Sequence, residues 1–270
     1  MSARLPRRAV LAGSLAAPLM ARGTWAGLLL RLVTGELPPY CFHVPPPTVA
    51  EGGEPMGLVY EVVREVARRV GNPTTVEFLP WPRAQQLAMA GPDIGILALT
   101  RTPEREDRYR WIFNVVTDDL VLVGPPGADA PALAAFKERP VGVLRASGAE
   151  ALLREQGFAR VQPASEEWIN AERLRDGLID AWLAPRLMVV WAWRETRGDA
   201  SRLAIGEVVR RSEIWFAGSP DVAPEIAAIW ARLFEDFKAD GGYDRILDRY
   251  LRLKPEPVDR PEGEIRWGPG

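Results

Sequence analysis

Residues 27–100 alternate between compact apolar runs and segments in which apolar residues recur every three or four positions. The run at 27–35 is apolar and closed by Gly35, which predicts a buried first strand. In 57–71 the apolar residues fall four apart, charged residues lie between them, and Gly71 ends the segment. This pattern is typical of an amphipathic helix with a glycine C-cap. Further along, we expect a strand at 74–79, a short helix at 80–91 and a strand at 93–99.

The same alternation returns in the second half of the chain. It predicts strands at 139–145, 159–163, 178–184, 203–209 and 213–220, and helices at 149–157, 166–177, 186–198 and 224–240. Strands that alternate with helices at this spacing indicate βαβ units and a parallel sheet. The Pro/Gly-rich stretch 124–131 lies between the two series and is the best candidate for a boundary. We therefore predict an α/β protein of two halves, with a ligand cleft outside the carboxyl ends of the strands.

The segment 100–106, TRTPERE, directly follows a predicted buried strand. Part of it suits a helix start, because Thr102 can cap, Pro103 fits the first helical position and Glu104 favours the positive end of the helix dipole. Arg105 is not explained in this way, since the dipole repels a cation in the first turn unless an anion binds there. The segment therefore indicates an anion site.

A similar segment, LRASGAE at 144–150, follows a predicted strand of the second half. It again combines a strand end, an arginine, small residues and a helix start. Both halves thus offer backbone N–H groups, hydroxyls and an arginine to one cleft. This combination suits a carboxylate or a similar anion.

The N-terminus has the features of an export signal. A basic region with Arg4, Arg7 and Arg8 precedes an apolar stretch at 9–20, and Ala26 is suited to cleavage. The apolar stretch is about 12 residues long, too short for the roughly 20 that span a bilayer. We predict a signal peptide at 1–26 that directs export by either the twin-arginine or the Sec route. We expect the mature protein to be soluble, monomeric and periplasmic.

Composition narrows the choice of function. With 47% hydrophobic and 26% charged residues among 270, the chain can bury one large core or two moderate ones. Loss of 1–26 removes four arginines and no acid, which changes the net charge from −2 to −6 and argues against nucleic-acid binding. Cys41 is the only cysteine and His43 the only histidine, so no internal disulfide forms and no zinc or triad motif surrounds them. We expect no metal and no cofactor, and interpret 41–43 as the end of the first strand and its loop.

Five stretches in order resemble the family 3 periplasmic solute-binding proteins, the extracytoplasmic receptors of polar amino-acid ABC transporters. They are 28–42, 57–71, 78–106, 175–185 and 237–251. The resemblance implies a two-lobed periplasmic-binding-protein (type II) fold, in which each lobe is a βαβ unit and the chain crosses twice between lobes. Lobe 1 would comprise 28–121 and 211–253, lobe 2 would comprise 122–210, and 254–270 would be a loosely held tail.

The resemblance also implies the roles of individual residues. Arg105 would grip the carboxylate of the ligand, helped by the hydroxyl and N–H of Thr100. Ser147 would contribute from the corresponding turn of lobe 2. Arg145 lies where related chains often place a second cation, which would favour a dicarboxylate. Trp81 would form an aromatic wall, although an ordinary core position is an equal alternative.

The loop after the first strand would complete the cleft through Thr34, Glu36 and Leu37. One departure from the family concerns the strand end at Pro185, where an aspartate usually holds the ammonium group of the ligand. Glu36, Asp118 and Asp119 are the candidates to replace this aspartate, and a solvated loop or hinge charge is an equal alternative for each. "Small carboxylate" is therefore a safer description of the ligand than "amino acid".

The resemblance leaves three functions to compare. The first is a non-enzymatic protein that binds a small carboxylate, either an amino acid or a related organic acid, for a membrane permease. The second is a periplasmic enzyme of the cyclohexadienyl or arogenate dehydratase type, against which the absence of an ionisable group at Pro185 counts. The third is a sensory binding module. The sequence favours the first function and leaves the ligand and the permease unidentified.

Overall fold

The structure is a computed structural model that describes residues 29–44, 53–73, 75–196 and 202–251. The predicted signal peptide and the tail at 254–270 lie outside these ranges. The strands are β1 (Arg31–Thr34), β2 (Phe42–Val44), β3 (Glu54–Met56), β4 (Val76–Phe78), β5 (Ile94–Thr100), β6 (Arg110–Gly124), β7 (Val141–Leu144), β8 (Val161–Ala164), β9 (Ala181–Pro185) and β10 (Ala204–Gly218). The α-helices are α1 (Leu58–Val70), α2 (Trp81–Ala90), α3 (Gly148–Glu155), α4 (Glu167–Arg175), α5 (Arg186–Glu195), α6 (Pro224–Ala239) and α7 (Gly242–Leu251).

Eight of the described strands form one sheet in the order β4-β1-β5-β10-β6-β9-β7-β8, and β2 pairs separately with β3. The pairs β1/β4, β1/β5, β7/β8 and β7/β9 are parallel, as expected for βαβ units. The outer strands at the two ends of the sheet belong to the two halves of the chain. The predicted α/β class is confirmed.

Two 15-residue antiparallel strands, β6 and β10, join the halves. The first half of the sheet attaches to the end of β10, where Ile214 pairs with Thr100 and Gly218 with Gly95. The second half attaches to the end of β6, where Leu120 to Val123 pair with β9. The chain therefore crosses between the two lobes within these strands, next to the predicted boundaries at 121/122 and 210/211, which remain predictions.

The hydrophobic core changes along β6 in the same way. Val115 and Val116 pack into the core of lobe 1, which contains the apolar faces of α1 and α6. Beyond the crossing, Leu120 and Leu122 pack on one face of the sheet, and Val121 and Val123 pack on the other. Because side chains alternate across a strand, this pattern shows that lobe 2 carries helices on both faces of its sheet.

Helix α1 agrees closely with its sequence pattern. Its buried residues follow the predicted apolar stripe. Gly71 adopts a left-handed conformation with φ of 80°, and its N–H donates to a backbone carbonyl of the last turn. This is the glycine C-cap expected from the sequence.

Two predictions of local structure need correction. The strands expected at 203–209 and 213–220 are one continuous strand, because the polar residues between them pair with β6 at the crossing. Residues 41–43 do not end the first strand: β1 stops at Thr34, Cys41 bridges to Leu37, and β2 pairs with β3.

Candidate functional site

A narrow cavity lies between the lobes, at the crossing strands and the ends of β5, β7 and β9. About 40 Å³ of it is open to the centres of water molecules, which is room for roughly three waters. Its polar lining comprises Tyr40, Thr100, Arg105, Ser147, Glu167, Arg210 and Ser212. Its apolar lining includes Leu37, Trp81, Ala98, Leu120, Met188 and Ile214. Residues far apart in sequence thus converge on one small, mixed site.

Arg105 is the half-buried cation of this cavity. Its Nη1 donates to the Thr100 carbonyl at 3.0 Å, and its Nη2 donates to Gln85 Oε1 at 2.8 Å and to the Ala146 carbonyl at 2.9 Å. These acceptors are neutral, and within the described chain no carboxylate forms an ion pair with this guanidinium. Burial lowers the pKa of Arg105. The site therefore holds a desolvated positive charge that hydrogen-bonds neutral acceptors, with the Glu104 carboxylate as an electrostatic neighbour that is not ion-paired to it.

The turn that carries Arg105 differs from the predicted helix start. Residues Pro103–Arg108 form a 3₁₀ helix, and the Thr102 side chain does not cap it. The Thr102 hydroxyl instead interacts with the Glu104 carboxylate and lowers the pKa of that group. Pro103 does occupy the first turn, as expected.

Arg101, four residues before Arg105, faces a different environment. Its guanidinium pairs with the Glu106 carboxylate and lies 4.7 Å from the centre of the Trp215 ring and 5.3 Å from that of Trp111. An ion pair and two cation–π contacts account for this side chain. Arg101 is therefore a structural cation beside the site and does not line the cavity.

The start of α3 forms the facing wall from lobe 2. Ser147 Oγ accepts a hydrogen bond from the Glu150 N–H at 3.1 Å, and the Glu150 carboxylate accepts one from the Ala146 N–H at 2.6 Å. This arrangement is a variant of the capping box, in which the return bond is made to the residue before the N-cap and not to the N-cap itself. Gly148 and Ala149, the first residues of the helix, line the cavity, and within the described chain their N–H groups have no backbone acceptor. Such groups favour an anion.

The lobes already touch at this wall. Ala146 has a left-handed φ of 57°, and its carbonyl accepts hydrogen bonds from both Arg105 and Gln85 of lobe 1. A Cβ added at Gly148 would lie 3.1 Å from the Thr102 methyl carbon. The structure therefore represents a closed arrangement, and only a residue without a side chain fits at position 148 without displacement.

The structure brings five of the eight predicted site residues to the cavity. They are Leu37, Trp81, Thr100, Arg105 and Ser147. Trp81 was expected either in the wall of the cleft or in the core. It occupies both positions, because it lines the cavity and, at 7% exposed, packs into the core of lobe 1.

The other three lie elsewhere. Thr34 is fully buried beside Cys41. Glu36 accepts hydrogen bonds from the backbone N–H and the Nδ1 of His43. Arg145 is exposed directly after the end of β7, whereas Ser147, two residues further on, lines the cavity. None of the three lines the cavity.

Sequence reasoning missed Glu167, a carboxylate of the cavity wall. Its side chain is 3% exposed, and its Oε2 accepts hydrogen bonds from Asn170 Nδ2 at 2.9 Å and from Trp182 Nε1 at 2.7 Å. Burial raises its pKa to about 7. The available signal was the buried stripe of α4, because Ala171 and Leu174 follow Glu167 at helical spacing and place it on the inward face.

Arg210 was also missed as a second cation. It lies in the middle of β10 and lines the cavity. A cation on lobe 2 was expected at Arg145, and the crossing strand supplies one instead.

The aspartates considered as partners for a ligand ammonium have other roles. Asp118 is fully buried, and its Oδ2 accepts hydrogen bonds from the Tyr40 hydroxyl at 2.7 Å and from the Leu187 N–H at 2.9 Å. It thereby caps α5 and fixes the loop of lobe 1 to the crossing strand. Asp119 lies 4.0 Å from the Arg211 guanidinium. Neither of the two lines the cavity.

The raised pKa of Glu167 predicts a pH-dependent stability. The folded protein holds this proton between pH 4.5 and about 7, where the unfolded chain releases it, so the contribution of Glu167 to stability is lost as the pH rises through this window. We expect Glu167→Gln to gain about 2 to 3 kcal/mol relative to the wild type between pH 5 and pH 8. Urea unfolding of both proteins at the two pH values measures this change. Glu166→Gln, at the neighbouring and partly exposed position, should show no such gain, and an equal gain in both variants would contradict the assignment.

Cys41 and the metal-ligating residue types add no further candidate site among the described residues. Burial raises the pKa of the Cys41 thiol to about 12, so it is not a nucleophile at neutral pH. Among the described residues, no group of His, Cys, Asp and Glu could hold a metal ion. No helix in the same ranges is long and apolar enough to cross a bilayer.

The family model of bacterial extracellular solute-binding proteins, family 3, matches residues 33–253. The chain belongs to this family. The match covers both lobes and the crossing strands, so the family resemblance inferred from five sequence stretches is confirmed. A comparison with proteins of curated function finds no match.

Several solved structures share the fold at low sequence identity. A histidine kinase sensor domain with similarity to periplasmic binding proteins has a TM-score of 0.73 and 16% identity, over 83% of this chain and 96% of that one. The substrate-binding protein of an amino acid ABC transporter has a TM-score of 0.70 and 14% identity, over 82% and 99%. An ancestral amino acid-binding protein, a precursor of cyclohexadienyl dehydratase, has a TM-score of 0.69 and 16% identity, over 84% and 97%. The two-lobed periplasmic-binding-protein fold is thereby confirmed.

Proposed function

We propose that this family 3 protein closes its two lobes on a small carboxylate, an amino acid or a related organic acid, and delivers it to the permease of an ABC transporter. The observation that carries the proposal is the Arg105 guanidinium in the interlobe cavity, which is hydrogen-bonded to neutral acceptors and forms no ion pair within the described chain. A planar guanidinium can donate two parallel hydrogen bonds to one carboxylate. The membership in family 3 and the likeness to a transporter binding protein support the same function.

Recognition would combine groups from both lobes. Arg105 and Thr100 come from lobe 1, while Ser147 and the N–H groups that begin α3 come from lobe 2. A carboxylate between them would neutralise the guanidinium and satisfy free N–H donors. Because these groups meet only when the lobes approach, ligand binding would favour the closed state.

The remaining features of the proposal concern size and place of action. The closed cavity favours a ligand of few heavy atoms. The basic and apolar N-terminal sequence supports export to the periplasm, where the protein would act as a monomer. A sensor protein could replace the permease as the receiver of the closed state, as the likeness to a histidine kinase sensor domain suggests; binding and closure would be the same.

Closure can be tested on the purified protein. A thermal-shift screen of amino acids, dicarboxylates and aromatic acids identifies a ligand, and X-ray scattering then compares free and saturated protein. We expect the radius of gyration to fall on saturation, because hinge closure brings the lobes together. No stabilisation by any small carboxylate would overturn the proposed function, and an unchanged scattering curve at saturation would contradict closure.

A dehydratase is the second candidate, and Glu167 is the observation that favours it. A buried carboxyl group with a pKa of about 7 is protonated in a large fraction of molecules at neutral pH and can act as a general acid. The likeness to a precursor of cyclohexadienyl dehydratase agrees with this alternative. Incubation with prephenate or arogenate, followed by product absorbance, tests it. Product formation that Glu167→Gln abolishes would establish the enzyme.

A further inference from the structure

We propose that the chain carries its own competitor for Arg105: the Gln85 side chain and the Ala146 carbonyl hold this guanidinium in an interlobe latch, which a ligand carboxylate must displace. The latch is the set of hydrogen bonds among these three residues. The inference rests on the proposed function and adds a regulation of the same site. Latched molecules are closed but not competent to bind, so the latch lowers the apparent affinity for the ligand.

The latch joins the two lobes by a ring of three hydrogen bonds. Arg105 Nη2 donates to Gln85 Oε1 at 2.8 Å and to the Ala146 carbonyl at 2.9 Å. Gln85 Nε2 donates to the same carbonyl at 3.1 Å. Gln85 lies on α2 and is 7% exposed, so bulk water has little access to its amide. The three groups thus satisfy one another across the cleft.

The latch uses the donors that a carboxylate would need. Nη2 of a guanidinium has two N–H groups, and in Arg105 both are engaged. Two parallel bonds to one carboxylate combine Nη2 with either Nε or Nη1. Arg31 shows the first geometry in this protein, because its Nε and Nη2 bind the two oxygens of Glu77. The oxygens of Gln85 and Ala146 therefore take the place of the ligand carboxylate on Arg105.

Lobe 2 holds the Ala146 carbonyl in a fixed direction. The φ of Ala146 is 57°, a left-handed conformation that is uncommon for a residue with a side chain. Its N–H donates to the Glu150 carboxylate at 2.6 Å, and the Glu150 N–H donates to Ser147 Oγ at 3.1 Å. Such strain persists only where the surrounding structure imposes it, and it is common at switch regions. The turn therefore presents this carbonyl to the opposite lobe.

A ligand carboxylate can displace the latch. Two ionised groups add Coulomb attraction to their hydrogen bonds, whereas both acceptors of the latch are neutral. A latch that holds about two-thirds of the free molecules lowers the apparent affinity by about 3-fold. The remaining open molecules still close on saturation, so the radius of gyration falls as the proposed function requires.

Two substitutions of Gln85 have opposite expected effects. Gln85→Met keeps the length and helix propensity of the side chain but removes both amide bonds, so ligand binding should become about 3-fold tighter. Gln85→Glu pairs a carboxylate of the protein with Arg105, so binding should weaken by at least ~10-fold. Calorimetry with L-alanine, L-glutamate and succinate as probes measures both changes. Weaker binding in both variants would show that Gln85 only supports Arg105, and would overturn the latch.

X-ray scattering tests the latch in the free protein. The radius of gyration of free Gln85→Met should exceed that of the free wild type, and its fall on saturation should be larger. Gln86→Met, at the exposed neighbouring position, is the matched control and should behave like the wild type in both measurements. Equal radii of the three free proteins would overturn the latch while the proposed function stands. If no carboxylate of the screen binds, the proposed function fails, and the comparison of free proteins still decides whether the latch exists.

Discussion

Arg105→Ala is expected to weaken binding of the carboxylate ligand by at least ~30-fold. Truncation of a central charged anchor costs about 2 to 5 kcal/mol, and each ~1.4 kcal/mol is a factor of ten in affinity. The variant also loses the hydrogen bond from Arg105 to the Ala146 carbonyl, one of the direct bonds between the lobes. Calorimetry with the best ligand from the screen measures the loss.

Two further variants make the result specific. Arg105→Lys keeps the charge but not the planar fork, so it should recover only part of the affinity. Arg101→Ala is the matched control, because Arg101 belongs to the same loop but pairs with Glu106 and covers Trp215. Near-normal affinity in both Arg105 variants, or an equal loss in Arg101→Ala, would show that the guanidinium is not the carboxylate anchor.

The sequence predicted the elements whose pattern is set by a single buried face. Helix α1 is an example, because one apolar stripe and one terminal glycine determine its length and its cap. The same logic gave most of the other strands and helices, but not β2, β3, β6 and α7. The family motifs supplied the expectation that the chain crosses twice between lobes.

The crossing itself was misread for a physical reason. Residues 210–212 interrupt an apolar pattern with Arg210, Arg211 and Ser212, which reads as a loop between two strands. In the structure this part of β10 pairs with β6 while two of its side chains line the cavity. The polar residues at this point belong to the candidate site and do not interrupt the strand.

Some residues of the candidate site could likewise be predicted from the sequence, and others could not. Arg105 could be predicted because a cation in that turn has no local explanation. Glu167 could not be recognised as readily, because a glutamate in the first turn of a helix is already favoured by the helix dipole. Its role depends on Trp182, 15 residues away, and on the facing lobe. Arg145 was chosen by its place in a motif, and the turn directs its neighbours inward instead.

Asp118 joins three segments that the sequence does not connect. Tyr40 belongs to the loop after β1, Asp118 lies on the crossing strand β6, and Leu187 lies in the first turn of α5 in lobe 2. The Tyr40 hydroxyl is fully buried, and its pKa is raised well above the ordinary value by burial and by the Asp118 carboxylate. We call these hydrogen bonds of Asp118 to Tyr40 and Leu187 the Asp118 joint. It fixes Tyr40, a residue of the cavity wall, where the lobes meet.

We therefore expect Asp118→Ala to lower the free energy of unfolding by about 3 to 5 kcal/mol. It leaves the Tyr40 hydroxyl and the Leu187 N–H without their acceptor, and each unsatisfied buried donor costs about 1 to 3 kcal/mol, to which the loss of a charged acceptor adds. Tyr40→Phe is the matched comparison, because it removes one donor and leaves the carboxylate on the Leu187 N–H, at a cost of about 1.5 to 3 kcal/mol. Urea unfolding at pH 7 followed by circular dichroism ranks the two variants. If Asp118→Ala costs no more than Tyr40→Phe, the carboxylate is not the centre of the joint, and the contact of Tyr40 with its loop would carry the stability instead.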